Sequence, residues 1–537
     1  TTGQRNLTIT GELDAATLDI SGDADIDGTT NLDVVDIDGA VDMASTLAVT
    51  GIATFTDDII IGDGKTIGSA SDPDAITIAS NGQLTLTQTL IGTALDISGD
   101  IDIDGTTNLD AVDIDGNLDV NGGTIKLDGN YPTGTTNTAL GDTAFNAIQA
   151  GAERNVAVGN QSLEKLTTGD DNVALGNRAL CTLTTGSCNV AVGKDALRTN
   201  TASSNTAIGQ EALVANTTGC RNSSFGSLSL DANTEGDTNV AVGYQSLSAN
   251  TTADNNTAVG SFALLANTTG TKNTSVGKSS LATNTTGSCN TALGVDALTS
   301  ATTASDNAAV GTGALLLNTT GTQNIAVGNN TLDANTTGNS NTALGHNSLS
   351  ANTTAANNLA AGNNSLCTTT TGCQNTALGS NAMDANTTGD NNVAVGRDAL
   401  GANTTADNNT AVGHSALFAN TTGASNVALG FEALKANTTA DNNISIGHQS
   451  GLTTTTGTRN IGIGRGTLYT NNTNDNVAIG HTSQLYTSSG ANNTSVGSCA
   501  LQNNTTASNN TAVGMNTLIA NTTGENNIAI GSCSMLN

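Results

Sequence analysis

The sequence predicts an all-β repeat protein: a parallel β-roll or solenoid with coils of about 17 residues, preceded by an acidic, β-rich shaft. Three observations carry that prediction. Between Asn137 and Ile530 the pattern Asn, any residue, small residue, apolar residue, Gly occurs twenty-four times, and twenty of the twenty-three intervals are 17 residues. A unit so short cannot bury a core alone and must stack on its neighbours. Aromatic residues make up 2% of the 537-residue chain, with no Trp and two Pro, which excludes a core of ordinary thickness; the 62 Gly suit thin β-structure with tight turns. Val, Ile and Leu recur in every repeat, which separates the chain from disordered Asn/Thr/Gly-rich sequences. No helical periodicity of useful length is present.

Charge divides the chain into residues 1–131 and 132–537. The first part holds 24 of the 46 acidic residues against Arg5, Lys65 and Lys126. It contains its own duplication: Leu18 to Gly39 and Leu95 to Gly116 agree at 20 of 22 positions. Apolar residues there alternate with Asp or Thr over short stretches and stop at Gly, the pattern of short strands and turns. Asp23, Asp25, Asp27 and Gly28, and again Asp100, Asp102, Asp104 and Gly105, copy the opening of a calcium loop. Position twelve is Val34 or Ala111, where an EF-hand requires a bidentate Glu, so that motif is rejected. No cofactor is expected; these carboxylates read as solvated strand faces, with Ca²⁺ collected by a carboxylate ladder as the alternative.

In the array each repeat is numbered from its Asn as register 0. Register 4 is Gly in all twenty-four copies and register 8 is nearly always Leu. Registers 1 to 3 and 6 to 9 read as two short strands, separated by a tight turn at the Gly and a longer one through Asn-Thr-Thr-Gly. Stacked at ~4.8 Å per coil, the array is a rod of roughly 115 Å. The register-0 Asn is expected to form a structural ladder, side chain to side chain and side chain to turn backbone. Registers 3 and 8 place large apolar groups on one face, and Ala at registers 2 and 7 lines the opposite one. Two dry faces suggest close packing against another chain, with a homotrimer as the expected assembly and a lone solenoid with exposed Ala as the alternative.

Asn-x-Ala-Val-Gly followed by x-x-Ala-Leu, as in Asn239 to Leu247 and Asn392 to Leu400, resembles the head repeat of YadA-type trimeric autotransporter adhesins over residues 137–537. That resemblance implies a left-handed parallel β-roll, trimeric assembly and attachment to a host surface. The present repeat is longer, with an inserted Asn-Thr-Thr-Gly, and neither a heptad stalk nor a membrane-anchor barrel is evident. The Asp-Ile-Asp-Gly-Thr-Thr units of the front are similar to the shafts of bacteriophage tail fibres.

Placed in register, the eight cysteines become informative. Cys181 and Cys188 bracket the long turn of one copy and Cys367 and Cys373 that of another, and in both the turn Asn is replaced, by Leu183 and Thr369. A disulfide across each turn is expected to substitute for the lost fastening, at ~2–3 kcal/mol, and implies an oxidising setting. Fourteen register-11 asparagines open Asn-x-Thr sequons: Asn216, Asn250, Asn267, Asn284, Asn318, Asn335, Asn352, Asn386, Asn403, Asn420, Asn437, Asn471, Asn504 and Asn521. Backbone geometry explains Asn-Thr-Thr-Gly as a turn; placed on an outer turn, these residues are also candidate glycosylation sites. The four histidines, His346, His414, His448 and His481, all occupy register 5, shared by Tyr244, Arg397 and Phe431. Intervening coils separate them, so they read as a variable exposed corner and candidate contact positions, not as metal ligands.

The net charge of −31 opposes binding to nucleic acid or to an anionic membrane surface, and no apolar run is long enough to span a bilayer. Absence of an initiating Met and of a secretory signal, and an array that stops within a repeat, suggest a processed or partial chain. No nucleophile, base and orienting acid converge, so an enzyme is not expected. The sequence therefore predicts an extracellular or virion-surface fibre, a spacer and adhesive rod with an unidentified host receptor or glycan as partner. The alternative is a self-assembling filament or coat joined end to end.

Overall fold

The computed structural model describes residues 10–12, 40–41, 43, 46–62, 65–69, 72–81, 83–86, 136–141, 143–149 and 151–536. The duplicated segments 18–39 and 95–116, with the Asp23 and Asp100 loops, lie outside the described residues. Two compact units are present, Thr1–Leu118 and Asp119–Asn537. In the first, β1 (Lys65–Ser69), β2 (Asp72–Ile78) and β3 (Leu84–Leu86) form an antiparallel meander in which Lys65 faces Ile78 and Ile76 faces Leu86.

The second unit is a parallel β-solenoid. Its twenty-four strands, from β4 (Thr138–Leu140) to β27 (Ile528–Ile530), are three residues each and pair in chain order with no shift of register. Thus β11 (Thr257–Val259) sets Thr257, Ala258 and Val259 beside Thr274, Ala258's neighbour Ser275, and Val276 of the next coil. Among the described residues the first strand pairs only forward and the last only backward, so the ladder is an open stack.

Each strand ends at the register-4 Gly, where φ is positive in every copy, +132° at Gly260 for instance. A Cβ there would lie 2.6 Å from the carbonyl oxygen of Gly277, the equivalent residue one coil on. Backbone conformation and stacking distance both demand glycine at this position.

Beyond the Gly the structure departs from the expected second strand. Registers 5 to 10 are turns, and registers 6 and 8 are left-handed, with φ of 63° at Phe262 and 51° at Leu264. This costs roughly 1–2 kcal/mol per residue for a non-glycine, yet it keeps the backbone bonded in both directions. The Phe262 N–H donates to Tyr244 O of the preceding coil at 3.0 Å, and the Leu264 N–H to Ser280 O of the following coil at 3.0 Å. Buried peptide groups between stacked coils have no water to turn to, so this alternation satisfies them without a strand.

The faces are also rearranged. In the coil from Asn256, registers 0, 2, 7, 8, 11 and 14 are buried and register 3 is not. The alanines expected outside therefore line the inside together with the Leu ladder: Ala258, Ala263 and Leu264 are all fully buried. Registers 1 and 3 point outward, and Leu293, Ile325 and Leu344 are 45–51% exposed. Strand alternation puts registers 1 and 3 on the same side, opposite 2, and the left-handed residue at 8 returns Leu to the interior.

Candidate functional site: a cationic and aromatic corner

Two asparagine ladders hold the coils so that the corner residues stack. At register 0, Asn256 N–H donates to Asn239 Oδ1 at 2.9 Å, and Asn256 Nδ2 donates to Gly270 O at 2.9 Å. At register 11, Asn267 Nδ2 donates to Asn250 Oδ1 at 3.0 Å and also to Gly270 O at 2.9 Å. Both ladders converge on one carbonyl, that of register 14. The register-0 ladder makes the expected bond from side chain to turn backbone, while from coil to coil it runs through backbone N–H to Oδ1, joined by a side chain to side chain bond in some copies, such as Asn172 Nδ2 to Asn155 Oδ1 at 3.0 Å.

The register-11 ladder corrects the glycosylation reading. Asn216, Asn250, Asn267, Asn284, Asn318, Asn335, Asn352, Asn386, Asn403, Asn420, Asn437, Asn471 and Asn504 are all fully buried. Only Asn521, in the last complete coil, is partly open. An amide nitrogen facing the interior, as Asn267 Nδ2 does with both hydrogens engaged, is closed to a glycosyltransferase.

The expected turn-closing disulfides are not formed: Cys181, Cys188, Cys367 and Cys373 are free thiols. Each register-9 sulfur turns toward the next coil, Cys181 Sγ to Arg198 O at 3.8 Å and Cys367 Sγ to Asp384 O at 3.5 Å. Cys373 Sγ instead contacts Thr371 O at 3.4 Å. Burial pushes the Cys181 and Cys367 thiols above their ordinary value. Thr369 keeps only the acceptor half of the ladder, its Oγ1 accepting from Asn386 Nδ2 at 3.4 Å while its hydroxyl donates to the Asn386 backbone carbonyl at 3.1 Å.

The register-5 corner lies outside these ladders. Over six consecutive coils it presents Arg397, His414, Phe431, His448, Arg465 and His481. Phe431 is sandwiched between His414 and His448, with ring centroids 5.4 and 5.2 Å apart and near-parallel planes. Arg397 donates to His414 Nε2 and lies 3.5 Å from Asp398. Beside the stack, Glu432 is held below the usual carboxylate range by its bond to Lys435, at 2.6 Å, and by Gln449 Nε2 at 2.9 Å. The other predicted contact positions stand apart: Tyr244 packs edge-on against Phe262 at 5.5 Å, and the His346 ring lies 3.5 Å from Asn363 Nδ2.

Two clefts border the stack. One, of about 380 Å³, lies among Phe418, Glu432, Lys435 and Leu452. The other, of about 270 Å³, is lined by Gln449, Arg465, Gly466, Tyr469, His481 and Thr482. Of this corner the sequence singled out Arg397, His414, Phe431, His448 and His481 but not Arg465, and it gave no sign of the second cleft, where Gly466 leaves register 6 without a side chain. Among the described residues no three His, Cys, Asp or Glu side chains converge in a metal-binding group, and no helix is long and apolar enough to cross a membrane.

No family model, curated protein or solved structure matches the chain. The fold and site thus define a class, the parallel β-solenoids with short coils, on the geometry alone.

Proposed function

We propose that this chain is the stacked-coil portion of an extracellular fibre, a non-catalytic spacer and adhesive rod, with the acidic front serving as its shaft. The observation that supports the reading most directly is the outward stripe at registers 1 and 3. Registers 1 and 3 carry mostly Val, Ile, Leu and Thr along one sheet face, with Leu293, Ile325 and Leu344 about half exposed. A face so long and apolar is unusual on a solitary chain. Another copy carries the same side chains at the same coil spacing, so it offers a matching ridge at every level. Three copies closing their stripes inward make a trimer and leave the variable corner outside, where contacts with a host surface belong. The alanines at registers 2 and 7, buried inside the coil, take no part in this contact.

Native mass measurement and electron microscopy of purified protein test this reading. The expected result is a mass of three chains and separate rods. A monomeric mass would remove the fibre, and continuous filaments would favour the end-to-end assembly instead.

A further inference from the structure

The stretch from Arg397 to His481 departs from the rest of the stack in several coincident ways. Its register-5 residues are cations and rings, in a chain of net charge −31. Gly466 opens the second cleft: a Cβ there would meet Leu485 and Thr482 at 3.6 Å. Within the same coils the interior Leu is lost twice, to Gly451 and to Gln484. Gln484 is fully buried, its Nε2 bonded to Val477 O at 2.8 Å and to Ser495 Oγ at 2.9 Å. Departures from a repeat that otherwise serves stacking are expected where a segment serves something else.

The charges in this stretch are unequally committed. Lys435 pairs with Glu432, Arg459 with Asp475 at 2.7 Å, and Arg397 with Asp398. Arg465 is exposed at the rim of the cleft and forms no ion pair among the described residues. No carboxylate lines that cleft. Tyr469 is half-buried in its wall and His481 is exposed at its edge, while Gln449 and Thr482 add neutral polar groups.

We infer that this cleft, continued along the His448–Phe431–His414 stack, binds an acidic saccharide. A guanidinium without a partner suits a carboxylate or a sulfate ester. An aromatic ring accepts the apolar face of a pyranose while its hydroxyl remains wet. Amide and hydroxyl side chains suit sugar hydroxyls. Rings repeated coil by coil favour an extended chain of sugars over a single residue.

The inference rests on the adhesive reading, and its test separates the two. Binding of the full-length chain to fluorescent oligogalacturonate, dextran sulfate and neutral dextran is measured by polarisation. Oligogalacturonate binding assigns the site to carboxylates, dextran sulfate binding to sulfate esters, and neutral dextran is expected to bind at least tenfold more weakly than either. Arg465→Gln and Tyr469→Ala are each expected to weaken acidic-probe binding at least tenfold, with His346→Gln, on a separate coil, unchanged. Failure of both acidic probes, equal binding of neutral dextran, or wild-type binding by both cleft variants overturns the site. Any of these results alongside a three-chain mass leaves the fibre standing; acidic-probe binding by a monomer does the reverse.

Discussion

Asn284 Oδ1 is buried and has no hydrogen-bond partner among the described residues, and the next coil presents Ala301 where an asparagine could donate. One coil earlier the ladder is intact, with Asn284 Nδ2 on Asn267 Oδ1 at 2.8 Å. The same defect recurs at Asn352 and Asn437, whose next-coil counterparts are Thr369 and Thr454. Ala301→Asn restores the donor and gives Asn318 an acceptor. It is expected to stabilise the stack by about 1 kcal/mol, read as slower amide exchange in the flanking coils. Unchanged or faster exchange there counts against the ladder as a source of cohesion. Exchange is the proper readout because a one-dimensional stack opens segment by segment.

Gly260→Ala acts on the other fixed point of the coil. The new methyl would meet Gly277 O, and the residue would be held at φ +132°. Loss of at least ~3 kcal/mol of local stability is expected, with exchange accelerated on both sides of the substituted coil. Gly401→Ala, where a Cβ would meet side chains and no backbone, the Phe418 ring at 3.2 Å and Asp384 Oδ1 at 3.4 Å, is expected to be far milder. Equal effects would mean that the turn does not require its glycine.

Register 9 carries three carboxylates that burial pushes above their ordinary value, Asp231, Asp333 and Asp384. Asp333 Oδ1 is also buried without a partner. An acid whose pKa rises on folding favours the folded state below its unfolded value, near 3.9, and loses that contribution as pH rises through the folded value. Asp333→Leu follows Leu316, which occupies the same register one coil earlier. The substitution is expected to raise stability at pH 7 by roughly 1 kcal/mol and to flatten the decline in stability from about pH 4 upward. A variant less stable than the parent at pH 7 would place the carboxylate in a favourable interaction after all.

The period, the parallel stack, the register-4 Gly and the register-0 ladder were legible because each repeats in the sequence with one chemical explanation. What misled were residues with two. Asn267 and its equivalents satisfy a glycosylation sequon and an internal ladder equally well, and only the closure of the coil decides which side the amide faces. Leu264 has no preference for a left-handed backbone, so the turn at registers 6 and 8 left no local signal; it is imposed by hydrogen bonds to coils on either side. Without that turn the sequence pattern places Leu and Ala on opposite faces, whereas both belong inside. The cleft at Gly466 was hidden similarly, as one missing side chain on a variable corner.

Free thiols are the expected state of all eight cysteines. Titration in denaturant without reductant should find eight, and in the native protein the exposed Cys188 and Cys289 should react before the buried Cys181. Recovery of six or fewer, with a peptide linking Cys181 to Cys188, would restore the turn-closing bridge.

The apolar stripe yields the sharpest test of assembly, since its residues are outside the coil and their replacement leaves the interior untouched. Leu293, Leu344 and Val395 occupy register 3 on well-separated coils. Converting all three to Asp places three like charges per chain on the face proposed to meet its copies, and buried, unpaired carboxylates cost several kcal/mol each. The triple variant is expected to retain its β-structure by circular dichroism and to fall to the mass of one chain. Thr271→Asp, Thr322→Asp and Ala424→Asp add the same charge at register 15, where Asp254 and Asp390 already stand, and should leave the mass unchanged. If both triple variants dissociate, net charge is responsible and not the stripe; if neither does, the chains meet elsewhere.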